Sequence, residues 1–240
     1  MDNVNNICIF CLSSKNTFLG AEHIFPESLG NKEKILSKGM VCDKCNNEIL
    51  ASLDKELIEF EPIKFCRTFY GVESKRGKVP ISNFHNIQID NSTKSNINIK
   101  TNSKKIVKNV TPEGFQLNFR GNRKLDKDRL KLIARALYKI GFELICLDHG
   151  KQFILSDRFN DARDLILGKK DFEGYLIIGT NKDYINTSVT YRFLKDEVTG
   201  KEFAIFDFNY MFIRIFFDFE RRISLLENGF KHDGLTHLKF

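Results

Sequence analysis

The sequence lacks any uncharged apolar run long enough for a transmembrane helix, because even residues 210–219 are interrupted by Arg214 and Asp218. Its first six residues lack the basic and apolar regions of a signal peptide. These absences argue against a membrane-spanning or secreted protein. Tryptophan is also absent and only 4 prolines occur, but neither observation indicates a function.

Internal repeats, low-complexity tracts and Gly/Ser linkers are missing as well. The 240 residues are 42% hydrophobic and include 23 Phe, which is enough to build packed cores. The composition therefore indicates a globular protein of one large or two modest domains.

Four of the 6 cysteines form two C-x2-C pairs, Cys8/Cys11 and Cys42/Cys45. Two thiolates on one tight turn can bind a single Zn²⁺, and two such turns complete a closed tetrahedral site. Two disulfides or four buried thiols are the alternatives, and the absence of a secretion signal disfavours the disulfides. We predict a structural zinc in a reducing cytosol, with Cys66 and Cys146 as core thiols.

The interval between the pairs is longer than a minimal zinc ribbon needs, and it contains Glu22-His23-Ile24-Phe25-Pro26. Cys8-x-x-Cys11, residues 22–30 and Val41-Cys42-Asp43-Lys44-Cys45-Asn46 together resemble the zinc-binding subgroup of the HNH endonuclease family. The resemblance covers about the first quarter of the chain. It implies a ββα-metal finger in which Glu22 and Asn46 bind a catalytic Mg²⁺ or Mn²⁺ and His23 is the general base.

The residue types suit phosphodiester hydrolysis on chemical grounds too. The reaction needs a water deprotonated near neutral pH, where imidazole titrates, and a hard cation at the phosphate, for which Glu22 and Asn46 offer oxygen. Because adjacent side chains of a strand point to opposite faces, Glu22 and His23 can serve one site only on a twisted or bulged hairpin.

Other interpretations remain for the same residues. His23 is alternatively a hydrogen-bonded structural histidine near the cysteine turns, or a zinc ligand. Glu22 is alternatively a solvated carboxylate. Asn46 is alternatively the N-cap of a helix over residues 46–60. The Asn that orients the base in the family has no clear counterpart, although Asn31 and Ser37 are candidates. Leu50 stands where some members have a second His ligand.

Positive charge is concentrated in the middle of the chain. Residues 61–124 hold 13 Lys and Arg against 4 Asp and Glu, while the whole chain has a net charge of +7. Such a surface suits a nucleic-acid backbone, and a solvated Lys-rich face is the alternative. The basic residues predicted to bind nucleic acid are Lys75, Arg76, Lys78, Lys104, Lys105, Arg120, Arg123 and Lys124.

The periodicity predicts an α+β protein: the zinc-stapled finger in residues 1–65, then a basic, β-rich mixed domain with an antiparallel sheet in residues 66–240. Predicted helices cover residues 128–147 and 159–167. The helix over residues 128–147 has one apolar face, formed by Leu130, Ile133, Ala134, Leu137, Ile140, Gly141 and Leu144. Predicted strands start at Ile87, Ile97 and Phe115 and cover residues 175–179, 188–194, 203–208 and 212–217.

Together these features predict a metal-dependent endonuclease that hydrolyses double-stranded DNA, in a bacterial or phage setting such as defence or restriction. One finger has one active site, so cutting both strands requires a homodimer or two encounters. The alternative is a zinc-finger nucleic-acid-binding module without catalysis. A zinc-stabilised adaptor with no nucleic-acid partner is more remote.

Overall fold

A computed structural model describes residues 7–30, 33–84, 87–94, 96–101, 107–111, 114–117, 126–180, 185–195, 197, 199–219 and 236–240. The helices are α1 (Ala51–Ile58), α2 (Glu61–Phe69), α3 (Lys127–His149), α4 (Lys151–Ile154) and α5 (Asn160–Leu167). The strands are β1 (Glu22–His23), β2 (Ile35–Leu36), β3 (Ser82–Phe84), β4 (Ile87–Asp90), β5 (Asn98–Thr101), β6 (Val107–Thr111), β7 (Gly114–Leu117), β8 (Tyr175–Thr180), β9 (Asn186–Lys195), β10 (Glu202–Met211), β11 (Ile213–Asp218) and β12 (Thr236–Lys239). The mixed α+β class is therefore confirmed.

The N-terminal segment, residues 7–60, consists of a short hairpin followed by a helix. Strands β1 and β2 pair antiparallel, with Glu22 opposite Leu36 and His23 opposite Ile35. The helix opens with a π-helical turn, Cys45–Leu50, and continues as α1. The amide of Asn46 already donates to the Cys42 carbonyl at 3.0 Å. The N-cap interpretation of Asn46 is therefore wrong, because the helix has begun before this residue.

Strands β8 to β12 form the largest sheet, in the order β12-β8-β11-β10-β9, and all neighbours are antiparallel. The four strands predicted after residue 170 are confirmed, and each extends by one to three residues at one or both ends or is shifted by one. Strands β3, β4 and β5 form a second antiparallel sheet, and β6 pairs with β7.

The sequence does not predict helix α2, because a Pro two residues after the predicted helix end at residue 60 is typical of a boundary between elements. Instead Pro62 lies in the first turn of α2, where its missing N–H would have no helical partner anyway. The side chains of Ile63 and Cys66 are buried on the face of α2 that packs inward. The helix therefore continues the core past residue 60.

Helix α3 lies between α1 on one side and β11 on another. The apolar positions predicted for its buried face are at most 4% exposed: Leu130, Ile133, Ala134, Leu137, Ile140 and Leu144. One hydrophobic cluster joins these residues to Cys8 at one end of the chain and to Phe240 at the other. The division at residue 65 stays a prediction, since this cluster spans it.

In the described part of the chain, no helix combines the length and the apolar character that crossing a bilayer demands.

Close contact between α3 and the sheet depends on Gly141. A Cβ added there would lie 2.7 Å from Cε1 of Phe206, whose ring is fully buried and stacked on Phe217 at 4.9 Å between centroids. Gly141→Ala gains helix propensity of about 1 kcal/mol. We nevertheless expect it to lower the free energy of unfolding by about 1 kcal/mol or more through overpacking, measured by urea denaturation.

The control is the double variant Gly141→Ala/Phe206→Leu, in which the smaller side chain makes room for the methyl group. Its loss should be smaller than the sum of the two single losses. Strict additivity would contradict the proposed clash.

Candidate metal centre and HNH hairpin

The four paired cysteines meet at one point. Their sulfur atoms all lie within 4.8 Å of one another, and Cys11 Sγ is 3.7 Å from Cys42 Sγ. Four sulfurs placed about 2.3 Å from a tetrahedral Zn²⁺ are separated by about 3.8 Å. The donor set and the spacing therefore fit a structural zinc, and this is the only group of three or more His, Cys, Asp or Glu ligands within the described residues.

Polar hydrogens around the sulfurs favour thiolates. The Cys42 amide donates to Cys8 Sγ at 3.4 Å, and Asn16 Nδ2 donates to Cys42 Sγ at 3.4 Å. A hydrogen bond from Cys45 lowers the pKa of Cys8 to about 5, whereas the same contact raises the pKa of Cys45. Four close thiolates require a cation to be ionised together.

Asp43, within the second C-x2-C pair, holds the loop that leads to the hairpin. Its Oδ1 accepts hydrogen bonds from the amides of Leu19 and Gly20, both at 3.0 Å. Hydrogen bonds from the Thr17 side chain and from these amides lower the pKa of the Asp43 carboxyl. The metal knuckle thus positions the chain two residues before Glu22.

Glu22 and His23 have different surroundings. Strands β1 and β2 pair at Glu22 and His23 without a β-bulge. The Glu22 carboxylate is buried at 4% exposure, and its Oε1 lies 2.6 Å from Lys139 Nζ. The half-buried His23 ring has Nε2 3.7 Å from Oε1 of Glu27. Its Nδ1 is buried and has no hydrogen-bond partner among the residues that the structure describes. Convergence of Glu22 and His23 on one site stays a prediction.

Lys139 is the centre of a buried charged cluster. Its fully buried Nζ donates to the His23 carbonyl at 3.1 Å and to Asp54 Oδ1 at 3.0 Å, and lies 3.6 Å from Glu143 Oε2. Burial opposes the charge on Lys139, but the carboxylates of Glu143, Asp54 and Glu22 outweigh it and raise the pKa of the ammonium. Lys139 therefore stays charged.

Burial has the opposite effect on the carboxyl groups of this cluster, because it raises their pKa values. Burial raises the pKa of Glu22 and Asp54, although Lys139 pulls both values back down. Burial raises the pKa of Glu143 well above the usual carboxyl range, which favours its neutral form. Its two oxygens have no hydrogen-bond partner among the described residues.

Asn46 lies beside the loop before the hairpin. A Cβ built on Gly20 would be 3.4 Å from Asn46 Nδ2, so the amide side chain faces residue 20. Asn46 belongs to the π-helical turn Cys45–Leu50, a distortion that is frequent at functional sites. Leu50 is fully buried, so that helix position belongs to the core.

Of the predicted basic residues, the structure describes Lys75, Arg76 and Lys78, and all three are exposed. Lys75 Nζ lies 3.0 Å from Oε2 of Glu27, the residue whose other oxygen is next to His23. The segment that contains Lys75 therefore lies close to the β1–β2 hairpin. The other predicted residues are outside the described residues: Lys104, Lys105, Arg120, Arg123, Lys124 and the orienting candidate Asn31.

Sequence reasoning missed Asp43, Asp54 and Lys139. A signal did exist for Lys139, because Lys139 and Glu143 are charged residues four apart within an otherwise apolar and small stretch of α3. Charged residues at buried positions need partners. The sequence could therefore have flagged Lys139, although it could not have named Glu22 and Asp54 as its partners.

We predict that metal analysis finds one tightly bound Zn²⁺ per chain, held by Cys8, Cys11, Cys42 and Cys45. Cys42→Ser should lose most of it and lower thermal stability, because metal binding is coupled to folding. Cys66→Ser is the matched control, since it removes a buried thiol outside the cluster and should keep the zinc. A well-folded, zinc-free wild-type protein would overturn the assignment.

Comparison with known proteins gives one result for this chain. Residues 8–60 match the family model described as HNH endonuclease. Searches of curated proteins and of solved structures give no match. The match covers less than a quarter of the chain and coincides with the metal knuckle, the hairpin and α1. The resemblance predicted from the motifs is therefore confirmed for residues 8–60, which are similar to the HNH endonuclease family.

Proposed function

We propose that the chain is a metal-dependent endonuclease that hydrolyses phosphodiester bonds of DNA, with His23 as the general base. The observation that carries the proposal is the HNH endonuclease match over the same residues that form the four-cysteine cluster and present His23 on a hairpin. That family implies a nucleic-acid substrate. A reducing cytosol suits a site made of free thiols.

His23 is supported as the base by its position. Its side chain is 29% exposed, so a water bound at a phosphate can reach it. Oε1 of Glu27 lies 3.7 Å from Nε2 of the ring. Through Glu27, the exposed Lys75 is also connected to this site.

Glu22 and Asn46 are proposed to hold the catalytic Mg²⁺ or Mn²⁺. Glu22 pairs with Lys139 through Oε1, and a carboxylate has a second oxygen to offer a cation. Two protein ligands leave several positions for water, which suits Mg²⁺. The cation would supply positive charge to the phosphate as charge develops on its oxygens.

Double-stranded DNA is the proposed substrate, because the exposed Lys75, Arg76 and Lys78 place positive charge on the same side as the base. A homodimer would bring two sites to the two strands. A role in bacterial or phage defence fits this activity and rests on the resemblance.

One observation favours a second candidate, a nucleic-acid-binding module without catalysis. Glu22 is almost completely buried and already paired with Lys139, which competes with a metal ion for the carboxylate. In that case the cluster around Lys139 would serve stability alone. Cleavage assays separate the two candidates.

We expect wild-type protein to cleave plasmid DNA with Mg²⁺ or Mn²⁺ and His23→Ala to lose about a hundredfold or more in rate, because general base catalysis is lost. Glu22→Gln should need more metal for the same rate. Both variants should retain zinc and DNA binding. The measurements are turnover as a function of metal concentration and an electrophoretic mobility shift.

The matched control is His149→Ala, since His149 is an exposed histidine whose ring centroid lies 4.8 Å from that of Phe153. It should cleave like wild type. If His23→Ala also cleaves like wild type, His23 is not the general base. If wild type never cleaves, the endonuclease proposal is rejected in favour of the nucleic-acid-binding module.

We also expect Arg76→Glu/Lys78→Glu to weaken DNA binding and to reduce the slope of log affinity against log salt by about 2, because two phosphate contacts are lost. The maximal cleavage rate should stay unchanged. Lys127→Glu/Lys201→Glu makes the same charge change at two exposed lysines elsewhere and should have little effect on DNA affinity. An equal loss in both double variants would show that net charge alone governs binding.

A further inference from the structure

Lys139 contacts both residues of the Glu22–His23 pair from a position 116 residues later in the chain. Its Nζ lies 2.6 Å from Glu22 Oε1 and 3.1 Å from the His23 carbonyl oxygen. The first contact acts on a side chain and the second on the backbone. Both proposed functional residues are thus held by one buried ammonium.

Helix α1 holds the Lys139 ammonium in place. Asp54, on α1, accepts from Lys139 Nζ at 3.0 and 3.2 Å through its two oxygens. The Lys139 side chain has no solvent exposure, so water cannot replace it as a donor. One Lys therefore links β1, α1 and α3 at the point where the hairpin carries its functional side chains.

We infer that Lys139 is a positioning residue for the proposed hydrolysis: it fixes the Glu22 carboxylate and the His23 backbone. The inference rests on the proposed function. The hydrogen bond to the carbonyl sets where the His23 backbone lies, and the ion pair sets which oxygen of Glu22 faces α3. Since misplacement by about 1 Å costs on the order of a hundredfold in rate, loss of these contacts reduces turnover.

Two other cations of the same helical region contact the N-terminal segment away from the hairpin. Lys151 Nζ donates to the Gly39 carbonyl at 2.7 Å, and Arg163 Nε donates to the Ile9 carbonyl at 2.9 Å. Lys151 offers a matched comparison, because its substitution also removes a Lys-to-carbonyl bond but leaves Glu22 and His23 untouched. General support of the fold predicts similar effects for Lys139 and Lys151, whereas positioning predicts different ones.

The experiment compares wild type, Lys139→Gln, Lys139→Arg and Lys151→Gln in the full chain. Zinc content and thermal melting give the folded fraction, and kcat and KM for plasmid cleavage are measured at saturating Mn²⁺. We expect Lys139→Gln to lose at least tenfold in kcat per folded, zinc-loaded molecule with KM for DNA within about twofold of wild type. Lys139→Arg should recover part of kcat, and Lys151→Gln should retain it.

Removing the ammonium leaves buried carboxylates unpaired, so Lys139→Gln could fail to fold. Lys139→Gln/Asp54→Asn then serves as the second variant, because it keeps the net charge of the cluster while the bonds to Glu22 and His23 are lost. The same loss of kcat is expected from it.

A kcat within twofold of wild type in a folded Lys139→Gln or in the double variant would overturn the inference. An equal loss in Lys151→Gln would also overturn it, since the effect would then be general support of the N-terminal segment. A wild type that binds zinc and DNA but never cleaves rejects the proposed function itself. That outcome is distinct from cleavage that does not depend on Lys139.

Discussion

Backbone carbonyls of the N-terminal segment depend on cations from the helices that follow. Strands of two residues satisfy few of their own backbone groups, and buried carbonyls without partners are costly. Lys139 supplies a donor to His23 in β1, and Lys151 and Arg163 donate to the Gly39 and Ile9 carbonyls outside the hairpin strands. A hydrogen bond to a charged group contributes about 1.5–3 kcal/mol, so three are large against a typical stability of about 5–15 kcal/mol.

Sequence patterns predicted the long elements well, because each has an apolar face long enough to repeat. Helix α3 shows that face over six turns. Strand β10 has buried side chains at alternate positions: Ala204, Phe206, Phe208 and Tyr210. Shorter elements were missed where one residue had two meanings. Pro62 is an example, because proline is common both at a boundary after a helix and in the first turn of a new helix, where it lies in α2. The π-helical turn that begins at Cys45 has no sequence signature of its own.

In the candidate site too, features with a local sequence pattern could be predicted and contacts between distant residues could not. Spacing alone predicted the four-cysteine cluster, and the order of Glu22, His23 and Asn46 predicted the HNH segment that the family match supports. The partners of these residues could not be predicted, because they come from distant parts of the chain. Nothing local to Glu22 indicates a buried Lys, and nothing local to Lys139 indicates which hairpin it meets.

Charge balance explains why the hairpin can hold a carboxylate in the core. The cluster contains one ammonium, from Lys139, surrounded by the carboxyl groups of Glu22, Asp54 and Glu143. Burial raises the pKa of Glu22 and Asp54, and the Lys139 ammonium opposes that shift. The same ammonium bonds to Asp54 on α1, so the hairpin, α1 and α3 share one polar contact as well as one hydrophobic core. The family-like segment, residues 8–60, therefore shares its core with the described part of the chain that follows it.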